Sequence, residues 1–123
     1  MKTALVIEDN EDNMRLITLL LEKAGYRTLR AFTGMEGYEA ALQKRPDFII
    51  LDIQLPDIEG TEALRKIRAS EIGTSIPVIA MTSYAMSGDR EKLLAAGCDG
   101  YIEKPIDPER VIAQIRRVIG DRA

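Results

Sequence analysis

Short β-branched runs alternate with longer stretches of helical periodicity five times along this chain of 123 residues. That alternation is the pattern of repeated βα units wound around a parallel sheet. It predicts strands at Thr3 to Ile7, Arg27 to Ala31, Phe48 to Leu51, Pro77 to Met81 and Gly100 to Ile102. The third and fourth are the most solidly apolar and belong in the middle of the sheet. Met14, Ile17, Leu20, Leu21 and Ala24 recur at helical spacing before Gly25, so the first helix is expected over 13–24. Further helices are expected over 35–44, 61–69, 89–96 and 108–119. Thr33 and Gly34, Gly60, Ser87 and Gly88, Gly97, Asp107 before Pro108, and Gly120 mark their ends. No internal repeat, low-complexity tract or linker interrupts the pattern, and a single domain over residues 1–123 is expected.

The length and the 46% hydrophobic content allow one ordinary core without disulfide or structural metal. Cys98 is the single cysteine, and beside Ala95, Ala96 and Gly97 it reads as a small packed residue rather than a redox group. The apolar run from Ala4 ends at Glu8, too short for a signal peptide or a membrane span. A cytoplasmic protein is therefore expected. A net charge of -3 with both signs interspersed gives no basic stripe for nucleic acid. Histidine is absent, which removes Ser-His-Asp catalysis, histidine-ligated zinc and an internal phosphohistidine together.

In a parallel sheet every strand ends on the same edge, and ligands bind just outside it. The residues after the predicted strands are Glu8 and Asp9, Asp52, Thr82 and, after Ile102 and Glu103, Lys104. Three carboxylates in one crevice repel one another unless a cation joins them. Carboxylate oxygens without imidazole or thiolate select magnesium, manganese or calcium, and magnesium commonly pairs one or two carboxylates with waters and a phosphate oxygen. Lys104 adds a point charge for a phosphate or for Asp52, and Thr82 a hydroxyl donor, with the small Ser83 leaving access open. An aspartate so surrounded can accept a phosphoryl group, a transfer that needs mainly positioning and charge neutralisation.

Taken singly, each residue has a plainer reading. The acidic stretch from Glu8 to Asp12 could cap a helix, Asp52 could end a strand in a turn, Thr82 could be a cap, and Lys104 before Pro105 could be a solvated loop residue. The coincidence of suitable groups at four separate strand ends decides for the site. Met35, Met81 and Met86 read as packing residues, and Arg15, Arg65, Arg68, Arg116 and Arg117 as solvated helix faces.

With Ile7-Glu8-Asp9-Asn10, Leu51-Asp52-Ile53-Gln54-Leu55-Pro56 and Gly60, Met81-Thr82-Ser83, and Tyr101 through Lys104-Pro105, the whole chain resembles the receiver domains of two-component response regulators, and within them the single-domain cell-division regulators. The resemblance implies a (βα)5 doubly wound fold, flavodoxin-like or CheY-like, with five parallel strands in the order 2-1-3-4-5. It implies phosphorylation at Asp52, magnesium bound directly by Asp9, Asp52 and the Gln54 carbonyl, and Glu8 acting through water. Lys104 would contact the phosphoryl group, Thr82 would swing toward it, and Tyr101 would change rotamer in step, altering the surface of the fourth helix, fifth strand and fifth helix. Without the resemblance, Tyr101 reads as a half-buried strand aromatic. A cis Lys104-Pro105 bond is also implied. Gln54 and Tyr84 occupy the positions that tune phosphoryl lifetime in the family, and a bulky Tyr84 is expected to shield the acyl phosphate from water. Glu8 stands where many members carry aspartate.

Because the chain lacks histidine, the donor must be a phosphohistidine on a sensor histidine kinase or a histidine phosphotransfer protein, or a small molecule such as acetyl phosphate. The resemblance places kinase docking on the first helix around Met14, Ile17 and Thr18. It also implies a downstream protein target, and it leaves open a phosphorylation-dependent homodimer through the last helix. Met1-Lys2 running straight into the first strand suggests a standalone regulator; a receiver excised from a hybrid kinase, or from a regulator with a separate output domain, is the alternative. A magnesium-dependent aspartyl phosphatase would want a second aspartate where Gln54 stands. A nucleotide-binding domain would want glycines where Glu8 to Glu11 lie.

Overall fold

The computed structural model describes residues 1–70, 75–83 and 87–121, with backbone alone for 87–90. Among the described residues ten elements alternate: β1 (Thr3–Ile7), α1 (Glu11–Lys23), β2 (Arg27–Ala31), α2 (Gly34–Lys44), β3 (Phe48–Asp52), α3 (Gly60–Arg68), β4 (Val78–Thr82), α4 (Ser87–Ala96), β5 (Gly100–Glu103) and α5 (Val111–Ile119). The strands form one sheet in the order β2-β1-β3-β4-β5, with every pair parallel. This is the doubly wound, CheY-like topology that the sequence implied.

Alternation along the strands supplies both faces of the sheet. Ala4, Val6, Phe48, Ile50, Ile79, Met81 and Ile102 meet α1 and α5 through Met14, Ile17, Leu21, Val111 and Ile115. Leu5, Ile7, Ile49, Leu51, Val78 and Ala80 meet α2, α3 and α4 through Ala41, Ala63, Leu64, Ile67 and Leu93. Residues buried on both faces read as continuous apolar runs, which is why β3 and β4 were legible and are wholly buried. Edge strand β2 is mostly exposed or half-buried. Cys98 packs into the second of these clusters, as its small neighbours suggested.

Boundaries shift by a residue or more. β3, β4 and β5 run on through Asp52, Thr82 and Glu103, because Asp52 pairs with Met81 and Thr82 with Glu103 in the ladders. β4 starts after Pro77, which has no amide to donate. The last helix begins at Val111 rather than Pro108, since Asp107 holds a turn there: its carboxylate accepts from the Glu109 amide at 2.9 Å and its carbonyl from the Arg110 amide at 3.1 Å.

Two arginines expected on solvated faces are not there. Arg68 reaches under the sheet and donates from Nε to the Gly97 carbonyl at 2.9 Å, from Nη1 to the Ile76 carbonyl at 2.6 Å and from Nη2 to Asp99 Oδ2 at 2.8 Å. Asp99 Oδ2 also accepts from the Val78 amide at 2.8 Å, so one guanidinium joins α3 to the starts of β4 and β5. Arg116 Nη2 donates to the Ala24 carbonyl at 3.1 Å and lies over the Tyr26 ring. Spacing marks which residues share a helix face, but it does not say which loop carbonyls arrive beside it. Met35 is also exposed rather than packed, at the first turn of α2, while Met81 is fully buried; Met86 lies outside the described residues.

Candidate functional site

The C-terminal edge of the sheet gathers the residues singled out above. Glu8 follows β1 and is fully buried, while its neighbour Asp9 is exposed. Asp52 and Thr82 end β3 and β4 and are both buried. The acidic stretch divides its work: Glu11 and Asp12 sit in the first turn of α1, where the helix dipole favours them, and Asn10 caps that helix by accepting from the Asn13 amide at 2.9 Å. Glu8 and Asp9 are left for the crevice.

Glu8, Asp9 and Asp52 each offer a carboxylate oxygen, and these oxygens lie within 4.8 Å of one another. Lys104 Nζ donates to Glu8 Oε1 at 3.0 Å and lies 3.1 Å from Asp52 Oδ2. Its own amide donates to the Thr82 carbonyl at 2.8 Å, which extends the β4–β5 ladder and sets where the side chain starts. The Lys104-Pro105 bond that follows is cis. Gln54 is exposed, and its amide donates to Asp52 Oδ1 at 3.1 Å.

One ammonium cannot balance three carboxylates. Burial, reinforced by a hydrogen bond with Asp52 and only partly offset by Lys104, pushes the Glu8 carboxyl up to about 7. Burial pulls the Lys104 ammonium down, but Glu8 and Asp52 outweigh it and hold its pKa above the ordinary lysine value. Glu8 Oε2 is buried, with no hydrogen-bond partner among the described residues. An acceptor left so costs about 1–3 kcal/mol. A buried orphan oxygen beside an excess of negative charge, with oxygen donors alone, fits a hard divalent cation.

The match to the family model for the response regulator receiver domain spans residues 4–116. The chain belongs to that family. It is similar to the polar-differentiation response regulator DivK of Brucella anthropi, with 42% identity over 120 residues, 98% of each chain. Among solved structures, it matches the receiver domain of the sensor histidine kinase PA1611 of Pseudomonas aeruginosa at 37% identity and TM-score 0.89, covering 98% of both chains. That receiver was crystallised with a magnesium ion coordinated in its active-site cleft. The chemotaxis response regulator CheY4 of Vibrio cholerae superposes with TM-score 0.92 at 26% identity, covering 96% of this chain and 98% of the other. The protein is thus a receiver of two-component signalling, a signalling domain rather than a conventional enzyme, and a receiver implies a histidine kinase partner. Among the described residues no helix is long and apolar enough to cross a membrane.

Several expectations for this receiver need restating. Met14, Ile17 and Thr18 are buried and cannot form the docking surface that the resemblance implied, because they lie on the core-facing stripe of α1. Arg15 and the half-exposed Leu19 lie on the outward face of α1. Tyr101 is partly buried and packed against the α2, α3 and α4 side of the core. Tyr84 lies outside the described residues. Sequence reading missed Asp57, whose carboxylate bonds across to α2; an acid followed by Ile58, Glu59 and Gly60 is the signal of a turn, and nothing in that spacing names a helix start as its partner.

Proposed function

We propose that Asp52 accepts a phosphoryl group from a phosphohistidine on a sensor histidine kinase or histidine phosphotransfer protein. A carboxylate oxygen of Asp52 attacks phosphorus, the P–N bond to the donor imidazole breaks, and the imidazole leaves to be protonated by solvent. Asp9, Asp52 and the Gln54 carbonyl would hold magnesium, with Glu8 acting through water. Bound magnesium supplies charge neutralisation for the carboxylates and the arriving phosphoryl oxygens. The observation that carries this reading is the reach of Lys104 to both Glu8 and Asp52 over a carboxylate cluster with an orphaned oxygen. Once Asp52 carries the phosphoryl group as an acyl phosphate, Lys104 Nζ is placed to follow its new negative charge.

In this reading Thr82 donates its hydroxyl to the phosphoryl group, and Tyr101 changes rotamer in step. A groove lined by Tyr101 and Glu103 of β5, Gln114 and Arg117 of α5 and Arg110 just before that helix, with Leu94 of α4 beside it, is the surface that a downstream protein would meet. Gln54 and Tyr84 set how fast water removes the phosphoryl group. The whole chain acts as one receiver, in the cytoplasm where a kinase domain has access to it. A second reading, a receiver working within a larger kinase, draws on the 37% identity to the PA1611 receiver.

Beryllofluoride, a phosphoryl mimic, tests the switch directly. With magnesium present, amide resonances of Thr82, Tyr101, α4 and α5 are expected to shift as Asp52 is occupied. Shifts confined to residues 8–10 and 52–54 would overturn the proposed link between site and surface.

A further inference from the structure

The segment between β3 and α3 carries Gln54, and one carboxylate fastens it to a different part of the molecule. Asp57 Oδ1 accepts from the Gly34 amide at 2.7 Å, and Oδ2 accepts from the Met35 amide at 2.9 Å. Both are first-turn amides of α2, which have no partner within the helix. Yet α2 already has its own cap, since Thr33 Oγ1 accepts from the Glu36 amide at 3.1 Å. The second cap therefore comes from a loop that the helix does not need for its own start. Because each carboxylate oxygen takes a different amide, the contact fixes the angle of the loop as well as its distance.

The surrounding packing makes this clamp close. A Cβ on Gly34 would lie 2.5 Å from Ile58 Cγ1 and 3.3 Å from Asp57 Oδ1, so glycine is what lets the loop approach. At the other end of the segment the Gly60 amide donates to the Ile53 carbonyl at 2.8 Å. Gln54 lies between these two fastenings, its amide directed to Asp52. Asp57 is itself exposed, and although burial pushes its carboxyl upward, the amides of Met35, Gly34, Ile58 and Asp57 together outweigh that and hold it below the ordinary value.

We propose that Asp57 is a positioning residue for the metal: by clamping Gly34 and Met35 it holds the Gln54 carbonyl in place, and through the same bonds it transmits metal occupancy to the start of α2. The inference rests on the magnesium reading given above. Coupling of this kind is reciprocal, so whatever the clamp contributes to the metal, the metal returns to the clamp.

Calorimetric titration of the full chain with magnesium chloride, comparing wild type, Asp57→Ala, Asp57→Asn and Thr33→Ala, separates positioning from simple helix capping. Asp57→Ala is expected to weaken binding about fivefold or more. Asp57→Asn, which keeps one acceptor oxygen, recovers part of that loss and serves alone if the alanine variant does not fold. Thr33→Ala weakens α2 without touching the loop and should bind magnesium as wild type does. In wild type, magnesium is also expected to slow hydrogen exchange at the Gly34 and Met35 amides. Wild-type affinity in both Asp57 variants, an equal loss in Thr33→Ala, or exchange at Gly34 and Met35 indifferent to magnesium would overturn the proposal while leaving the metal site standing. A wild type that takes up no magnesium would overturn the metal reading and this inference with it.

Discussion

Lys104 Nζ stands 3.1 Å from Asp52 Oδ2 although β4 separates their two strands, and the same ammonium bonds Glu8 on the far side of β3. One cation thus bridges the ends of three strands. Lys104→Met leaves two buried carboxylates facing each other, and an unpaired buried polar group costs about 1–3 kcal/mol. Urea unfolding in chelator is expected to show a loss of that size. Asp52→Asn, which removes charge rather than adding imbalance, should leave the metal-free protein as stable as wild type or more so.

The Glu8 carboxyl, pushed up to about 7 from an ordinary 4.5, gives the metal-free protein a definite pH dependence. Between those two values the unfolded chain has released the Glu8 proton and the folded chain has kept it. Stability attributable to Glu8 therefore falls as pH rises through that window, by about 1.4 kcal/mol per unit at most, and levels off above it. Glu8→Gln has nothing to ionise and should gain on wild type over the same range. Magnesium favours the ionised carboxylate, so its uptake at pH 6 is expected to release protons in wild type and fewer in Glu8→Gln, as calorimetry in buffers of different ionisation enthalpy would read.

Gly60→Ala tests how closely α3 is seated under the site. The added Cβ would lie 2.5 Å from both the Asp52 carbonyl oxygen and Ile53 Cα, backbone atoms that cannot turn aside. Overpacking of this kind costs about 1–3 kcal/mol. Denaturation should show that loss, together with slower phosphorylation, because the atoms displaced belong to Asp52 and its neighbour.

Arg68→Ala would strip hydrogen bonds from the Gly97 and Ile76 carbonyls and from Asp99. A loss of about 2 kcal/mol is expected from acceptors left wanting at a partly buried junction. Arg68→Lys should recover only part of it, since a single ammonium cannot reproduce the guanidinium fork. Chemical denaturation of the two variants side by side checks both statements.

How far the sequence could be read follows from what each signal measures. The βα alternation is a property of local runs, so strand order could be inferred once the family resemblance was added, and the acids, threonine and lysine at strand ends fell on one edge as a parallel sheet requires. Lys104 joining Glu8 to Asp52 was legible only as a convergence, not as a geometry. Arg68, Arg116 and Asp57 escaped because most of their partners are backbone groups of other loops or of a helix start, which leave no pattern in side-chain spacing. Met14, Ile17 and Thr18 show the converse error: the resemblance put docking on the first helix, but these residues face inward and the core consumes them.

The central claim is that Asp52 is the phosphoryl acceptor, and the most direct test is intact mass after incubation with acetyl phosphate or phosphoramidate, with and without magnesium, for wild type and Asp52→Asn. A single phosphate adduct is expected on wild type, requiring magnesium and lost in the variant. An adduct that persists in Asp52→Asn, or none on wild type with either donor, would contradict it.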